Sequence, residues 1–591
     1  MSDPAITISD PTAAPETEPP VVAPAKTFIG HAKLIGALTF ASRMVGLVRE
    51  VVASHFLGAG VVANAFTVAF TIPNLFRKLL GEGALSAAFI PLYAQAQKRG
   101  STEHGDTARA FSAGAFNLLL MVLLSLTFIG EGVLGTLLFL ERGSDRIDRL
   151  LLLQFTAIML PYVVFVCGGA FLSAILQVHD RFGPPAFAPV ILNLCHIAVV
   201  VGGAWWLGLR GSDLPSERVQ ALQTTLGYWL AIAVLVAGAL QVAVLWPALR
   251  ESGFAFRLRA KAWTPSTKKM LRLAAPLAIG AGVLQLSVVI DEAIGFAFMQ
   301  GVRDDGSVTH FTLLGHVIRY PLELGAPRRL DLAQLLYQFP LGIFATALAT
   351  AIFPKLSADA LEPGRANFKR TLRQGIEAAL WEGFPASLGL MLIAVPITRL
   401  LFQHGQTDAH NAALIARSAV YFAAGIWAFS LLQVINRAYY AIHDAKTPLI
   451  ASVMNILLNI AIEIPLMWWM GEAAIALGTM VSFFAQAIVM VYLLDRRLGG
   501  LGMAELLQST GKMLAATALM GAATWAVTLA PFFPRGDSRG DWVAQLAIQM
   551  TVAVVVYFGA CTALGVNLMT RITTRKGNAS RRVPPADIPE P

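Results

Sequence analysis

The chain has 591 residues, of which 56% are hydrophobic and only 14% charged, with a mean hydropathy of +0.63 and a formal net charge of +9. That balance excludes an ordinary soluble domain and points to a polytopic membrane protein. The three cysteines, Cys167, Cys195 and Cys561, all fall inside apolar runs and imply neither a disulfide framework nor a metal spacing.

Residues 1–30 begin with a Pro-, Ala- and Thr-rich stretch holding Asp3, Asp10, Glu16 and Glu18, and read as a disordered tail. Fourteen apolar runs follow, at about 33–57, 61–96, 110–140, 150–178, 184–208, 221–248, 271–300, 332–353, 374–402, 411–441, 448–470, 472–495, 510–533 and 542–569. Each reaches the roughly 20 residues that a bilayer requires. The first is longer than the apolar core of a signal peptide and is interrupted by two arginines, so it is retained as a helix.

The first two runs carry charges where a membrane helix least tolerates them: Arg43 and Arg49 in one, Arg77, Lys78 and Glu82 in the next. A cation at mid-membrane costs about 2.5 to 3.5 kcal/mol on insertion scales. Four in adjacent helices point to a water-filled cationic cavity that receives an anion. The alternative is ion pairing between helices, and Lys78 and Glu82, four apart, have the spacing of such a pair. Gly58-Ala59-Gly60 makes a tight connection that keeps the two charged faces together. Pro73, Pro276, Pro340, Pro385 and Pro465 lie inside runs and can kink them, as a transporter needs.

Lysine and arginine cluster in 250–272, in 354–373 and after residue 570, all on one side if the runs alternate. By the positive-inside rule that side is cytoplasmic, with both termini inside and 301–330 outside. The excess charge is thus a topology signal and does not imply nucleic acid.

Two segments recur. Ala84-Leu85-Ser86-Ala87-Ala88-Phe89-Ile90-Pro91 resembles Ala347-Leu348-Ala349-Thr350-Ala351-Ile352-Phe353-Pro354 at an offset of 263, and His179-Asp180, Pro185 and Asn193 resemble His443-Asp444, Pro448 and Asn455 at 262 to 264. Six spans separate the copies, which gives parallel repeats. The predicted fold is all-α and polytopic: helices 1–6 over 31–250, helices 7–12 over 251–498, two further helices over 499–570, and a cytoplasmic tail over 571–591.

A second polar constellation lies in the other lobe. Asp291, Asn459, Glu463 and Thr479 all sit in apolar runs, with Asn459 and Glu463 on one helical face. Their oxygens suit Na⁺, or one carboxylate could carry a proton; the alternative is a polar cluster that only joins helices.

Ser42-Arg43-Met44-Val45-Gly46-Leu47-Val48-Arg49-Glu50, then Asn64-Ala65-Phe66, Pro73-Asn74-Leu75-Phe76-Arg77-Lys78 and Gly81-Glu82-Gly83-Ala84, resemble the MurJ/MviN family of lipid II flippases, within the multidrug/oligosaccharidyl-lipid/polysaccharide exporter superfamily. Gln338-Phe339-Pro340-Leu341-Gly342, Leu401-Phe402-Gln403-His404-Gly405 and Asp444-Ala445-Lys446-Thr447-Pro448 extend the resemblance; the last two spans match in hydropathy and position alone. The resemblance implies a bacterial inner-membrane transporter that moves an undecaprenyl pyrophosphate bearing a disaccharide-pentapeptide to the outer leaflet. It implies cavity roles for Arg43, Arg49 and Arg77, with Lys78 and Glu82 beside them, a sodium site at Asp291, Asn459, Glu463 and Thr479, and a lipid-tail groove in the last two spans. Arginine is the residue suited to bidentate phosphate binding. No cofactor is expected beyond a coupling Na⁺ or H⁺, and no protein partner is implied.

Two departures stand out. The family has Asp where this chain has Asn64, which reduces an expected ion pair to a hydrogen bond, and Arg where it has Leu335. Arg328 and Arg329, about two turns upstream, could compensate for Leu335, but as loop residues they are read as solvated. A drug exporter of the same superfamily would want acids in its first-lobe cavity. A glycosyltransferase or phosphatase would need a loop of clustered acids or histidines, which the short external connections lack.

Overall fold

Twenty-five helices, turns and short strands follow one another in the computed structural model, which describes residues 25–81, 84–103, 106–143, 145–209, 215–254, 263–303 and 306–566. The first half of the chain comprises α1 (Ala25–Leu57), α2 (Val61–Phe76), α3 (Ala84–Glu103), α4 (Asp106–Leu140), α5 (Ile147–Met159), α6 (Tyr162–Val178), α7 (Gly183–Trp206) and α8 (Ser216–Glu251). The second comprises α9 (Pro265–Ala297), α10 (Ala326–Pro340), α11 (Thr346–Asp359), α12 (Ala366–Phe402), α13 (Ala409–Ala423), α14 (Ile426–Ala441), α15 (Lys446–Met470) and α16 (Ala473–Leu498), and α17 (Met503–Leu529) and α18 (Arg539–Ala563) close the chain. Between α9 and α10 lie two small antiparallel hairpins, β1 (Gly301–Arg303) with β2 (Gly306–Val308) and β3 (His310–Leu313) with β4 (His316–Arg319).

Among the described residues, nine helical spans are long and apolar enough to cross a membrane, or ten if α13 and α14 form one span bent by 43°. This is consistent with the fourteen runs of the sequence. Side chains such as Phe128, 81% exposed, and Trp469, 79% exposed, are left on the outside, where lipid rather than water would solvate them. Residues 1–24 and the last basic residues lie outside the described residues, while 25–30, expected to belong to the disordered tail, open α1.

The repeat is visible in the backbone. A π-helical turn, Arg77–Gly81, joins α2 to α3 after Pro73, and another, Leu341–Ala345, joins α10 to α11 after Pro340, 264 residues on. Proline removes a ladder donor and crowds the preceding turn, so widening nearby is an expected response. The α5–α6 break at Leu160 recurs as the α13–α14 break at Ala424, and the left-handed Asp180 (φ 57°) recurs as His443 (φ 60°).

One hydrophobic core is drawn from Leu57 to Ala274, and two more from residues between Met299 and Met513. A small fourth cluster, including Met520, Tyr557 and Cys561, joins α17 and α18 to Trp381 and Leu388 of α12. Met270 and Ala274 of α9 are buried in the first core, whereas Ile294 and Phe296 pack on a later one. Helix α9, which follows the boundary that the sequence places at residue 250, therefore packs on the cores of both lobes.

At one end of the bundle the lobes touch backbone to backbone. Gln406 N–H donates to the carbonyl of His55 at 2.9 Å. Gly58 and Gly405, with φ of 60° and 61°, face that contact, and a Cβ on Gly58 would lie 2.6 Å from the Gln406 carbonyl oxygen. Both positions need glycine for conformation and for space. Ser54 and Thr407 hydroxyls meet 2.9 Å apart in the same seam.

Candidate functional site

Helix α1 brings its charged residues to the seam between the lobes. Arg49 donates through Nη1 to Asn193 Oδ1 of α7 at 3.0 Å and through Nε to its neighbour Glu50 at 2.9 Å. Glu50, 9% exposed, also accepts from Arg328 Nη2 of α10 at 2.7 Å, and Arg328 Nη1 reaches Asp331 at 2.9 Å. The result is a chain of alternating charges, Arg49–Glu50–Arg328–Asp331, that crosses from one lobe to the other.

This corrects the reading of Arg328 and Arg329 as solvated loop residues. Both lie in the first turn of α10 and are only 6% and 1% exposed. Arg329 donates to Glu472 through Nε and Nη2, and through Nη1 to Asn411 and the Leu324 carbonyl. Pro327, near the helix start, is the sequence signal that would have extended the eighth span to include them.

Arg43 is exposed and lies against Gly342 of the second π turn, where a Cβ would coincide with its guanidinium. Arg77 opens the first π turn, and its Nε donates to Asn74 Oδ1 at 3.0 Å. Lys78 follows it in the same turn; Glu82, its expected pairing partner, lies outside the described residues. Asn64, 1% exposed, accepts the backbone N–H of Arg328 at 3.0 Å, so the polar contact there is a hydrogen bond between lobes that serves an orphan donor at the start of α10. Leu335 is half-buried against the core of the second lobe, with no cation in its place.

The second constellation is assembled by three helices. Asp291 of α9 accepts from Asn459 Nδ2 of α15 at 2.7 Å and lies 3.4 Å from the Thr479 hydroxyl of α16. Glu463, wholly buried, stands one turn from Asn459 on the same face. Gly478 lets α15 and α16 close on each other, since a Cβ there would lie 2.8 Å from Asn459 Oδ1. Both Glu463 carboxylate oxygens and Asn459 Oδ1 are buried without a hydrogen-bond partner. Buried carboxylate oxygens are costly without a proton or cation, so the donor set fits either a hard monovalent cation or a shared proton. The described residues hold no group of three or more His, Cys, Asp or Glu that would favour a transition metal.

Glu50 and Asn193 stand out in the sequence only as members of a motif and of the repeat, and Asp331 and Glu292 do not stand out at all. Glu292 follows Asp291 on α9 and accepts a hydrogen bond from Thr71 of α2. An acid inside an apolar run was the available signal for Glu292, the same that marked its neighbour.

Sequence comparison then decides the family: the profile of the lipid II flippase MurJ family matches residues 53–531. The chain belongs to the MurJ family. A probable lipid II flippase MurJ of Rhizobium meliloti (strain 1021) is 30% identical over 92% of this chain and 96% of its own length. One from Bdellovibrio bacteriovorus is 28% identical over 93% of this chain and 97% of its own. In fold, the chain is similar to a solved lipid II flippase MurJ in an inward closed conformation, with a TM-score of 0.67 at 20% identity over 91% of this chain and 99% of that one. A multidrug resistance MATE transporter in an inward-facing conformation shares the fold at a TM-score of 0.56 and 14% identity, over 80% and 98%. The MurJ family thus accounts for the helical architecture and for the multi-pass inner-membrane location.

Proposed function

We propose that this chain flips lipid II, an undecaprenyl pyrophosphate carrying a disaccharide-pentapeptide, from the inner to the outer leaflet by alternating access. The observation that carries this reading is the meeting of Arg43 with Gly342 of the opposite lobe and the link of Arg49, through Glu50, to Arg328, in a chain of the MurJ family, with Arg77 at the joint of the neighbouring span. A pyrophosphate entering between the lobes would compete with Glu50 for the guanidinium of Arg49, so cargo binding and the hold between lobes use the same groups. The chain acts as a transporter and carries out no covalent step. A cationic drug would be repelled by these arginines, which disfavours the drug-exporter alternative.

The rest of the reading concerns orientation and driving force. Both termini lie in the cytoplasm and 301–330 faces outward, so the Glu50–Arg328 contact and the His55–Gln406 seam close the outer side. Asp291, Asn459, Glu463 and Thr479 would hold Na⁺; bound there, it would supply one positive charge against the two carboxylates. The polar contacts that remain, Asn459 to Asp291 and Thr479 to Asp291, keep α9 on α15 and α16.

Depleting the protein in its host tests the function: lipid II should accumulate on the inner leaflet, and accumulation of a different lipid-linked intermediate would overturn the assignment. Cysteine labelling tests orientation. A cysteine at Thr312 should react with an impermeant reagent in intact cells and one at Lys268 should not; the opposite pattern would invert the topology.

A further inference from the structure

Helix α9 presents two adjacent carboxylates to two different lobes. Successive residues on an α-helix point about 100° apart. Asp291 accordingly turns to α15 and α16, where Asn459 donates to it at 2.7 Å, while Glu292 turns to α2 and accepts from the Thr71 hydroxyl. The first half of α9 is already buried in the core of the N-terminal lobe, through Met270 and Ala274.

The Thr71 hydroxyl has a second acceptor at hand, the Thr67 carbonyl one turn back on its own helix, at 3.2 Å. A hydroxyl carries one proton and can give it to one acceptor at full strength. If the lobes part at this point, Thr71 can turn its proton to Thr67 and no donor is orphaned, while Glu292, only half-buried, gains water. A bond that can be exchanged in this way holds without locking. Thr71 also stands two residues before Pro73, on the arm that leads into the π turn bearing Arg77 and Lys78.

We propose that Glu292 is a positioning residue that couples occupancy of the Asp291 site to the separation of the lobes, through its hydrogen bond to Thr71. The proposal rests on the cation reading given above. A cation held by Asp291 would fix this point of α9 against α15 and α16, and Glu292, the next residue on the same helix, carries that placement to Thr71 of α2. With α9 so placed, the clasp between Glu292 and Thr71 is held in register. A cation that favours the clasped state over the parted one shifts the balance between them by its difference in affinity.

The test uses the full chain in lipid vesicles, with the three native cysteines replaced and spin labels at Gln177→Cys and Tyr440→Cys, which lie at corresponding ends of the two lobes. Sodium should shift the distance between the labels in the unaltered seam. In Thr71→Val and in Glu292→Gln the shift should shrink at least threefold, while stabilisation of the protein against heating by sodium persists at the same concentrations within about threefold, and Thr71→Ser should restore the shift. A full-sized shift in both variants would overturn the proposal. Loss of sodium stabilisation in both would show Thr71 and Glu292 acting on the cation site itself, which also overturns it. Absence of any sodium stabilisation in the protein with Thr71 and Glu292 intact would instead overturn the cation reading, and the coupling with it.

Discussion

Glu50 and Arg328 meet at 2.7 Å from opposite lobes, with side chains only 11% and 7% exposed. Burial of both partners decides what their removal does. Breaking such a pair typically costs about 3 to 5 kcal/mol because one charge is left buried alone, whereas replacing both with neutral groups costs far less. Arg328→Gln alone should therefore lower thermal stability strongly, and Glu50→Gln with Arg328→Gln should recover most of the loss. A double-mutant cycle on purified protein measures the coupling, and additive effects would exclude a direct pair.

Arg49→Ala and Arg77→Ala should each abolish complementation of a flippase-depleted strain while the protein still inserts in the membrane at normal levels. Lysine at either position should restore only part of the function, since a point charge lacks the planar fork that grips two phosphate oxygens. Growth at full rate with both alanine variants would remove these residues from cargo binding.

Asp291→Asn together with Glu463→Gln retains size and hydrogen bonding but not charge. The double variant should flip lipid poorly and lose any dependence of the rate on sodium, with its folding intact. A cluster that merely joins helices would leave the rate unchanged, because amides can make the same contacts.

Asp444 lies in the connection before α15, accepts from Lys446 and Thr447 N–H at 3.0 Å each, and pairs with Arg497. Burial raises its carboxyl's pKa, but the Thr447 bonds and Arg497 together outweigh this and hold it below the usual carboxylate range. A depressed acid contributes stability that is present above the unfolded pKa and is lost as pH falls through the folded one. Acidification below about pH 4 should thus weaken the unaltered protein more than Asp444→Ala, which at neutral pH should be less stable by about 1 kcal/mol. Thermal unfolding across pH 3 to 7 measures both effects, on the order of the cap and ion-pair contributions.

The spans and the repeat were legible because hydrophobicity and helix-breaking residues are local signals, and both copies keep them. Asp291, Asn459, Glu463 and Thr479 could be grouped in advance because polar atoms are rare in apolar helices and must find one another. Arg328 was misplaced for the converse reason: near the end of a span, a cation is read as a solvated flank, and only the packing of α10 beneath the 57–60 connection buries it. The bond between Thr71 and Glu292 could not be read at all, since which lobe Glu292 faces depends on the path of α9 between two cores.

The matching π turns at Arg77–Gly81 and Leu341–Ala345 give both halves of the molecule the same joint, yet only the first carries cations. Two identical chains paired about an axis could not arrange this, because any charge placed at one joint would appear at the other and the two would repel across the cleft. Fusion into a single polypeptide removes that obligation. One joint is free to carry Arg77 and Lys78, while the other, Leu-Gly-Ile-Phe-Ala, offers a glycine against which Arg43 lies, so an asymmetry of charge is written into a symmetric frame.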